Sequence, residues 1–214
     1  VILIEINQFK QRKLDMKILG IGNAIVDVIC KVEEDFLIKN NLTKSTMKLI
    51  FDDKEFKNLL SSLKIEKTVS GGSVANSIVG LSQLGNEVGF IGKVSDDELG
   101  SKYEEGLKQE DVKYFYSKKK EDLPTGTCLI LVTPDSERTM CTFLGTAGKI
   151  NHNDVNTDAI KQSEIILLEG YLWDEGDPKK AFDKAIQSAN KVAMSLSDQF
   201  CVDRHKPHFL DLVR

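Results

Sequence analysis

The sequence predicts an α/β protein built on a mainly parallel sheet. Short β-branched runs alternate with stretches of helical apolar spacing over most of the chain, and such alternation builds βαβ units. One pair of apolar runs, at 127–144, instead stands back to back across turn residues and reads as a hairpin.

Lys17 to Cys30 reads as a strand, a tight Gly-Asn turn and a second strand. Ile18, Leu19 and Ile21 come before the turn, and Val26, Val28 and Ile29 follow it. Met47 to Phe51 is another short strand. Phe56, Leu59, Leu60 and Leu63 repeat at helical spacing, as do Val74, Ile78, Leu81 and Leu84. Gly85 is placed to end the second of these helices in a left-handed cap. A strand at Val88 to Ile91 and a charged helix at Asp97 to Gln109 follow. Pro134-Asp135-Ser136-Glu137 supplies turn chemistry between Thr127 to Thr133 and Thr139 to Leu144. After the hairpin come a helix near Asp154 to Ser163, a strand Ile165 to Leu168, a helix Pro178 to Asn190 and a strand Val192 to Leu196. A helix starts at Lys206. Val1 to Asp15 precedes this pattern as an upstream extension.

Composition excludes several function classes. A formal net charge of -4 disfavours a nucleic-acid partner, which is held by clustered Lys and Arg. Lys118-Lys119-Lys120 runs straight into Glu121 and Asp122 and reads as a solvated turn. No stretch approaches the roughly 18 apolar residues that a membrane span needs. The four cysteines, Cys30, Cys128, Cys141 and Cys201, form neither a C-x-x-C pair nor a disulfide framework, which fits a reduced, cytoplasmic compartment. Cys201, His205 and His208 offer three metal-type ligands without a fourth, so they read as ordinary polar residues at the surface rather than as a zinc site.

Two segments carry candidate chemistry. Gly20-Ile21-Gly22-Asn23-Ala24-Ile25 imitates a dinucleotide fingerprint. Its third glycine is replaced by Ile25, however, and β-formers follow where that fingerprint needs a helix. Asn23 stands in the turn. Asp27 sits among Val26, Val28 and Ile29, where a carboxylate is costly unless hydrogen-bonded; it either caps the turn or receives the hydroxyls of a polyol. Ser70-Gly71-Gly72-Ser73-Val74-Ala75-Asn76 opens a helix with two glycines. Glycine permits close backbone approach, and the helix start offers unpaired N–H donors. A plain glycine-rich turn is the alternative.

In order and spacing, Gly22-Asn23 with Asp27, Gly71-Gly72 with Asn76, and Gly92-Lys93-Val94-Ser95-Asp96-Asp97-Glu98-Leu99-Gly100 resemble the ribokinase-like (pfkB) carbohydrate and nucleoside kinases. The resemblance extends from Met16 to Arg214. It is closest to the adenosine-kinase-like bacterial branch, through 71–78, Leu168-Glu169-Gly170-Tyr171-Leu172-Trp173 and 196–205. It implies a three-layer α/β fold with a small β lid, formed by strands near 45–51 and 112–146 of a single domain at 16–214. It also implies phosphoryl transfer from ATP, with Mg2+, to a primary hydroxyl of a sugar or ribonucleoside.

Residue by residue, the resemblance places Asp27 and Asn76 on ribose-type hydroxyls, with Gly71 and Gly72 giving backbone approach and Asn23 supporting the pocket. Met47 and Leu49 match lid positions near the substrate, and Cys128 a pocket-lining position on a lid strand. Arg138 matches a lid-side arginine that approaches the transferred phosphoryl group, and Tyr171 an aromatic that stacks on a base. Packing is the alternative role for Tyr171. Adenosine kinases commonly carry a polar residue where Met47 stands, a departure that bears on adenosine specificity. The family's later G-A-G-D segment, whose Asp is the general base, does not occur in this sequence, nor does its N-x-x-E segment. The chain is therefore expected to be a truncated, N-terminal part of such a kinase, inactive by itself. The alternative is a non-catalytic sugar- or nucleoside-binding module, or one that forms a homodimer through the lid.

Overall fold

A computed structural model describes residues 16–173 and 176–212, so the extension at Val1 to Asp15 lies outside the described residues. Five strands form a parallel central sheet: β1 (Met16–Ile21), β5 (Val88–Ile91), β6 (Lys113–Tyr114), β9 (Ser163–Glu169) and β10 (Val192–Ser195). Their order is β10-β9-β1-β5-β6. The strand alternation splits their side chains between two cores. Val88 and Phe90, with Ile18 and Leu167 against them, join the core under helices α3 (Ser73–Gln83) and α4 (Glu98–Gln109). Leu19, Ile21, Ile166 and Leu168 face the opposite core. That core is covered by α5 (Thr157–Gln162), α6 (Asp177–Ser188) and α7 (Gln199–Leu212) through Ile160, Phe182 and Phe209. Three layers follow from that division.

The remaining strands form a second, mixed sheet: β2 (Ile25–Lys31), β3 (Met47–Leu49), β4 (Ile65–Gly71), β7 (Gly126–Val132) and β8 (Arg138–Phe143), in the order β3-β8-β7-β2-β4. One face is buried. Val26, Val28, Leu129, Leu131, Cys141 and Phe143 pack there with α2 (Asp53–Ser61), whose Phe56 ring stands 5.4 Å from that of Phe143. The other face carries a half-open row that includes Asp27, Cys128 and Thr142. β7 and β8 pair antiparallel as the expected hairpin. Ser136, in its turn, takes φ +69, and its N–H donates to the Thr133 carbonyl at 2.8 Å.

Several elements differ from the sequence reading. β1 and β2 both form, but they lie in different sheets, so the Gly-Asn turn is the corner where the chain leaves one for the other. Of the strands expected for a lid at 45–51 and 112–146, β3, β7 and β8 lie in the second sheet together with β2 and β4, whereas β6 pairs parallel with β5 in the central sheet. β4 escapes notice in the sequence because Glu66 and Lys67 interrupt its apolar pattern. It is an edge strand, where charges face water and blunt further pairing. The charged sequence of the short helix α1 (Glu34–Lys39) likewise hides it. The last helix starts at Gln199 rather than Lys206, since its interior contains Pro207, a residue that ordinarily ends the pattern. Gly85 does adopt the left-handed conformation, at φ +82.

The Gly92 to Gly100 segment is scaffold. Asp97 caps α4 by accepting from the Gly100 N–H at 2.7 Å. It also accepts from the Thr125 N–H at 2.8 Å and the Thr125 hydroxyl at 2.7 Å. The cap thereby holds the residue that leads into β7.

Candidate functional site

The central sheet reverses its winding at β1, with β5 and β6 on one side and β9 and β10 on the other. In open α/β sheets the crevice beyond the carboxyl ends of the strands at such a point is where ligands bind. Here that crevice is lined by the Gly22-Asn23 corner and by Glu169, the last residue of β9. The Asn23 N–H donates to the Glu169 carboxylate. Glu169 is 1% exposed, and burial pushes its carboxyl up to about 7 against the opposing pull of that N–H. Gly22 is bare because a Cβ there would stand 2.3 Å from Glu169 Oε2. The Asn23 side chain is buried, and its Oδ1 has no hydrogen-bond partner among the described residues. An orphaned acceptor of this kind, beside a neutralisable carboxyl, suits a ligand hydroxyl.

The glycine pair brings the start of α3 against this corner. Gly72 has φ +104, and a Cβ on it would stand 2.3 Å from the Asn23 carbonyl. Gly71 is bare for a different reason. A Cβ there would stand 2.3 Å from Asp27 Oδ2, so the carboxylate is seated directly on the Gly71 backbone. Below it, the Tyr103 hydroxyl donates to the Gly71 carbonyl at 3.3 Å. Burial raises the Asp27 carboxyl to about 6. In register, Asp27 stands between Val69 of β4 and Cys128 of β7. The Cys128 thiol accepts from the Thr142 hydroxyl at 3.3 Å and is pushed up to about 12, chiefly by burial, so it lines the site as a thiol rather than acting as a nucleophile.

The structure thus brings Asn23, Asp27, Gly71, Gly72 and Cys128 into one region. Leu49 pairs with Thr142 and Met47 with Met140, which puts both two strands from Cys128, across β8. Arg138 is farther off. It pairs with Val132, four residues along β7 from Cys128, roughly 13 Å at strand rise. Asn76 is exposed in the first turn of α3 and lines a cavity of about 620 Å³ with Ser70, Lys67 and Lys102. Asp27 is not on that wall. Tyr171 is half-buried, two residues beyond Glu169, with its ring 5.8 Å from that of Phe200, and its N–H donates to Ser197 Oγ at 3.1 Å.

Glu169 is the residue that sequence reasoning passed over. Its signal was present: a carboxylate directly after the apolar run Ile165 to Leu168, at the carboxyl end of a parallel strand. Among the described residues, no group of three His, Cys, Asp or Glu side chains is disposed to hold a metal ion. Cys201 and His205 lie buried in α7 rather than at the surface, and the His205 ring is 5.9 Å from that of Phe209.

The model of the pfkB family of carbohydrate kinases matches residues 18–213. A 5-dehydro-2-deoxygluconokinase of Mesomycoplasma hyopneumoniae (strain 232) is 27% identical over 158 residues, which cover 73% of this chain and 45% of that protein. The chain spans about half the length of the curated relatives it matches. The crystal structure of adenosine kinase from Sinorhizobium meliloti superposes with a TM-score of 0.84 at 37% identity, covering 94% of this chain and 62% of that one. A probable sugar kinase from Rhizobium etli CFN 42 gives 0.83 at 36%, with the same coverage.

Proposed function

Since the chain belongs to the pfkB family of carbohydrate kinases, we propose that it forms the substrate half of an enzyme that transfers the γ-phosphoryl group of ATP, with Mg2+, to a primary hydroxyl of a sugar or ribonucleoside. The observation that carries this reading is a pair of carboxyls, Asp27 half-buried and Glu169 buried. Asp27 sits on Gly71 and Glu169 on the Asn23 N–H, and burial raises both with no cation to offset it. Such groups are costly in an apolar setting until hydroxyls reach them. A polyol supplies those hydroxyls, and each hydrogen bond to a charged group is worth about 1.5–3 kcal/mol.

Asn23, Cys128 and Thr142 add a polar rim, while Met47 and Leu49 offer an apolar wall for the rest of the substrate. Asn76 and Arg138 would join this pocket only through movement of α3 and of the lid. Tyr171 separates the two substrate classes: with a nucleoside its open face takes the base, and with a sugar it stays a packing partner of Phe200. No helix among the described residues is long and apolar enough to cross a membrane. All four cysteines are buried and none is in a disulfide, in keeping with the cytoplasmic compartment proposed here.

Titration calorimetry of this chain with adenosine, ribose, fructose and 5-dehydro-2-deoxygluconate, alongside the Asp27→Asn variant, tests the reading. One of these ligands should bind without turnover, and Asp27→Asn should weaken it by about 10- to 150-fold, the equivalent of one charged hydrogen bond. Binding that is indifferent to Asp27→Asn refutes the assignment. Binding without phosphoryl transfer by the full-length protein would favour a non-catalytic module.

A further inference from the structure

A buried ion cluster lies outside the pocket, and the proposed chemistry makes no use of it. Lys93, just past the end of β5, is 3% exposed. Its ammonium reaches Glu121 Oε1 at 3.2 Å and Asp154 Oδ2 at 3.2 Å. Glu121 also accepts from the Tyr116 hydroxyl at 3.0 Å, and Asp154 from the Asn151 N–H at 3.0 Å. The more exposed Lys119 approaches the same two carboxylates, at 3.8 and 3.6 Å.

The positions of these two acids along the chain matter more than their charge. Glu121 lies in the segment that leads into β7, and Asp154 in the segment that returns from β8 to α5. Lys93 therefore grips both covalent connections of the β7–β8 hairpin at one point. That point is fixed to the central sheet: the Tyr114 hydroxyl donates to the Gly92 carbonyl at 2.6 Å, and Gly92 packs so closely on the corner that a Cβ would stand 2.9 Å from the Gly22 carbonyl. A buried ion pair is a poor way to add stability, because apolar replacements often do as well, but it specifies geometry.

We propose that Lys93 is a positioning residue that ties both connections of the hairpin to the carboxyl edge of the central sheet, and so sets where Cys128 and Thr142 stand relative to the Asn23–Glu169 corner. Its effect on ligand binding rests on the reading of that corner as the substrate site; the anchoring does not.

Hydrogen exchange read by mass spectrometry tests it on two variants, Lys93→Met and the charge-free combination of Lys93→Met, Glu121→Gln and Asp154→Asn. In both, peptides from 115–126 and 144–156 should exchange at least about tenfold faster, while β1 and β9 stay within about twofold of wild type. Whichever of adenosine, ribose, fructose and 5-dehydro-2-deoxygluconate binds the wild-type chain should bind about tenfold more weakly. Faster exchange spread evenly over every element would make Lys93 an ordinary stabilising residue and overturn the proposal. If Lys93→Met does not fold, the charge-free combination still decides, and wild-type protection of its two connections would refute the anchor. If none of the four binds wild type, the substrate reading fails while the exchange data still judge the anchor.

Discussion

Replacing Glu169 with glutamine should make the protein more stable at high pH. The carboxyl is almost wholly buried, and it is raised from an ordinary 4.5 to about 7 because its ionised form loses water and gains only the Asn23 N–H. In the unfolded chain it releases its proton near 4.5, whereas in the folded chain it holds that proton to about 7. Between these values the folded state binds more protons, so stability falls as pH rises. The favourable contribution is complete below about 4.5 and is lost on passing through about 7. At about 1.4 kcal/mol per pKa unit, the ionised carboxylate costs the fold about 3 kcal/mol above about pH 8. The replacement amide has nearly the same shape, still accepts from the Asn23 N–H and never ionises. Urea unfolding of wild type and Glu169→Gln from about pH 4.5 to about pH 8.5 isolates this one group, because every other titration cancels in the difference. The variant should gain on wild type by about 2–3 kcal/mol between the two ends of that range. A flat difference, or one of opposite slope, would show that Glu169 is ionised at little cost in the fold, and would remove the case for it as a neutral partner of a ligand hydroxyl.

Three further outcomes are expected. Gly71→Ala forces the Asp27 carboxylate off its seat, so it should cost under about 1 kcal/mol in a chemical melt, because a side-chain end can move aside, yet weaken hydroxylic ligands in parallel with Asp27→Asn. A folded Gly71→Ala with wild-type affinity would refute that placement. Asp97→Ala removes the cap of α4 and strands the buried Thr125 N–H, a loss of about 2–4 kcal/mol, while Asp97→Asn keeps one acceptor oxygen, so it should retain the cap on the Gly100 N–H, give up the bond from the Thr125 N–H and lose distinctly less; equal losses in the two would argue against the cap. Ligand affinity should fall as pH drops through about 6, where Asp27 takes up its proton, and Asp27→Asn should abolish that step while leaving any change near 7 that belongs to Glu169; titration calorimetry at about pH 5 and about pH 6.5 checks both.

Local pattern in the sequence determined much of this protein. The alternation of β-branched runs and helical spacing specified the parallel sheet and its helices. The Gly-Gly and Gly-Asn segments, with Asp27 and Cys128, marked residues that the structure gathers at one place, since glycine is needed wherever a carboxylate or another backbone must come close. What was hidden is what pairing at a distance decides. β4 goes unnoticed because an edge strand needs apolar residues on only one face, and β6 reads as lid because its two residues reveal no partner. Asn76 and Arg138 share motifs with the pocket, yet the side-chain direction and the strand register set them apart from Asp27. Glu169 became a site residue only when β9 docked beside β1, which placed its carboxylate under the Asn23 N–H and took away its water. A side chain's chemistry is written in its sequence, but its dielectric and its neighbours are not, and those two set whether a carboxyl holds its proton.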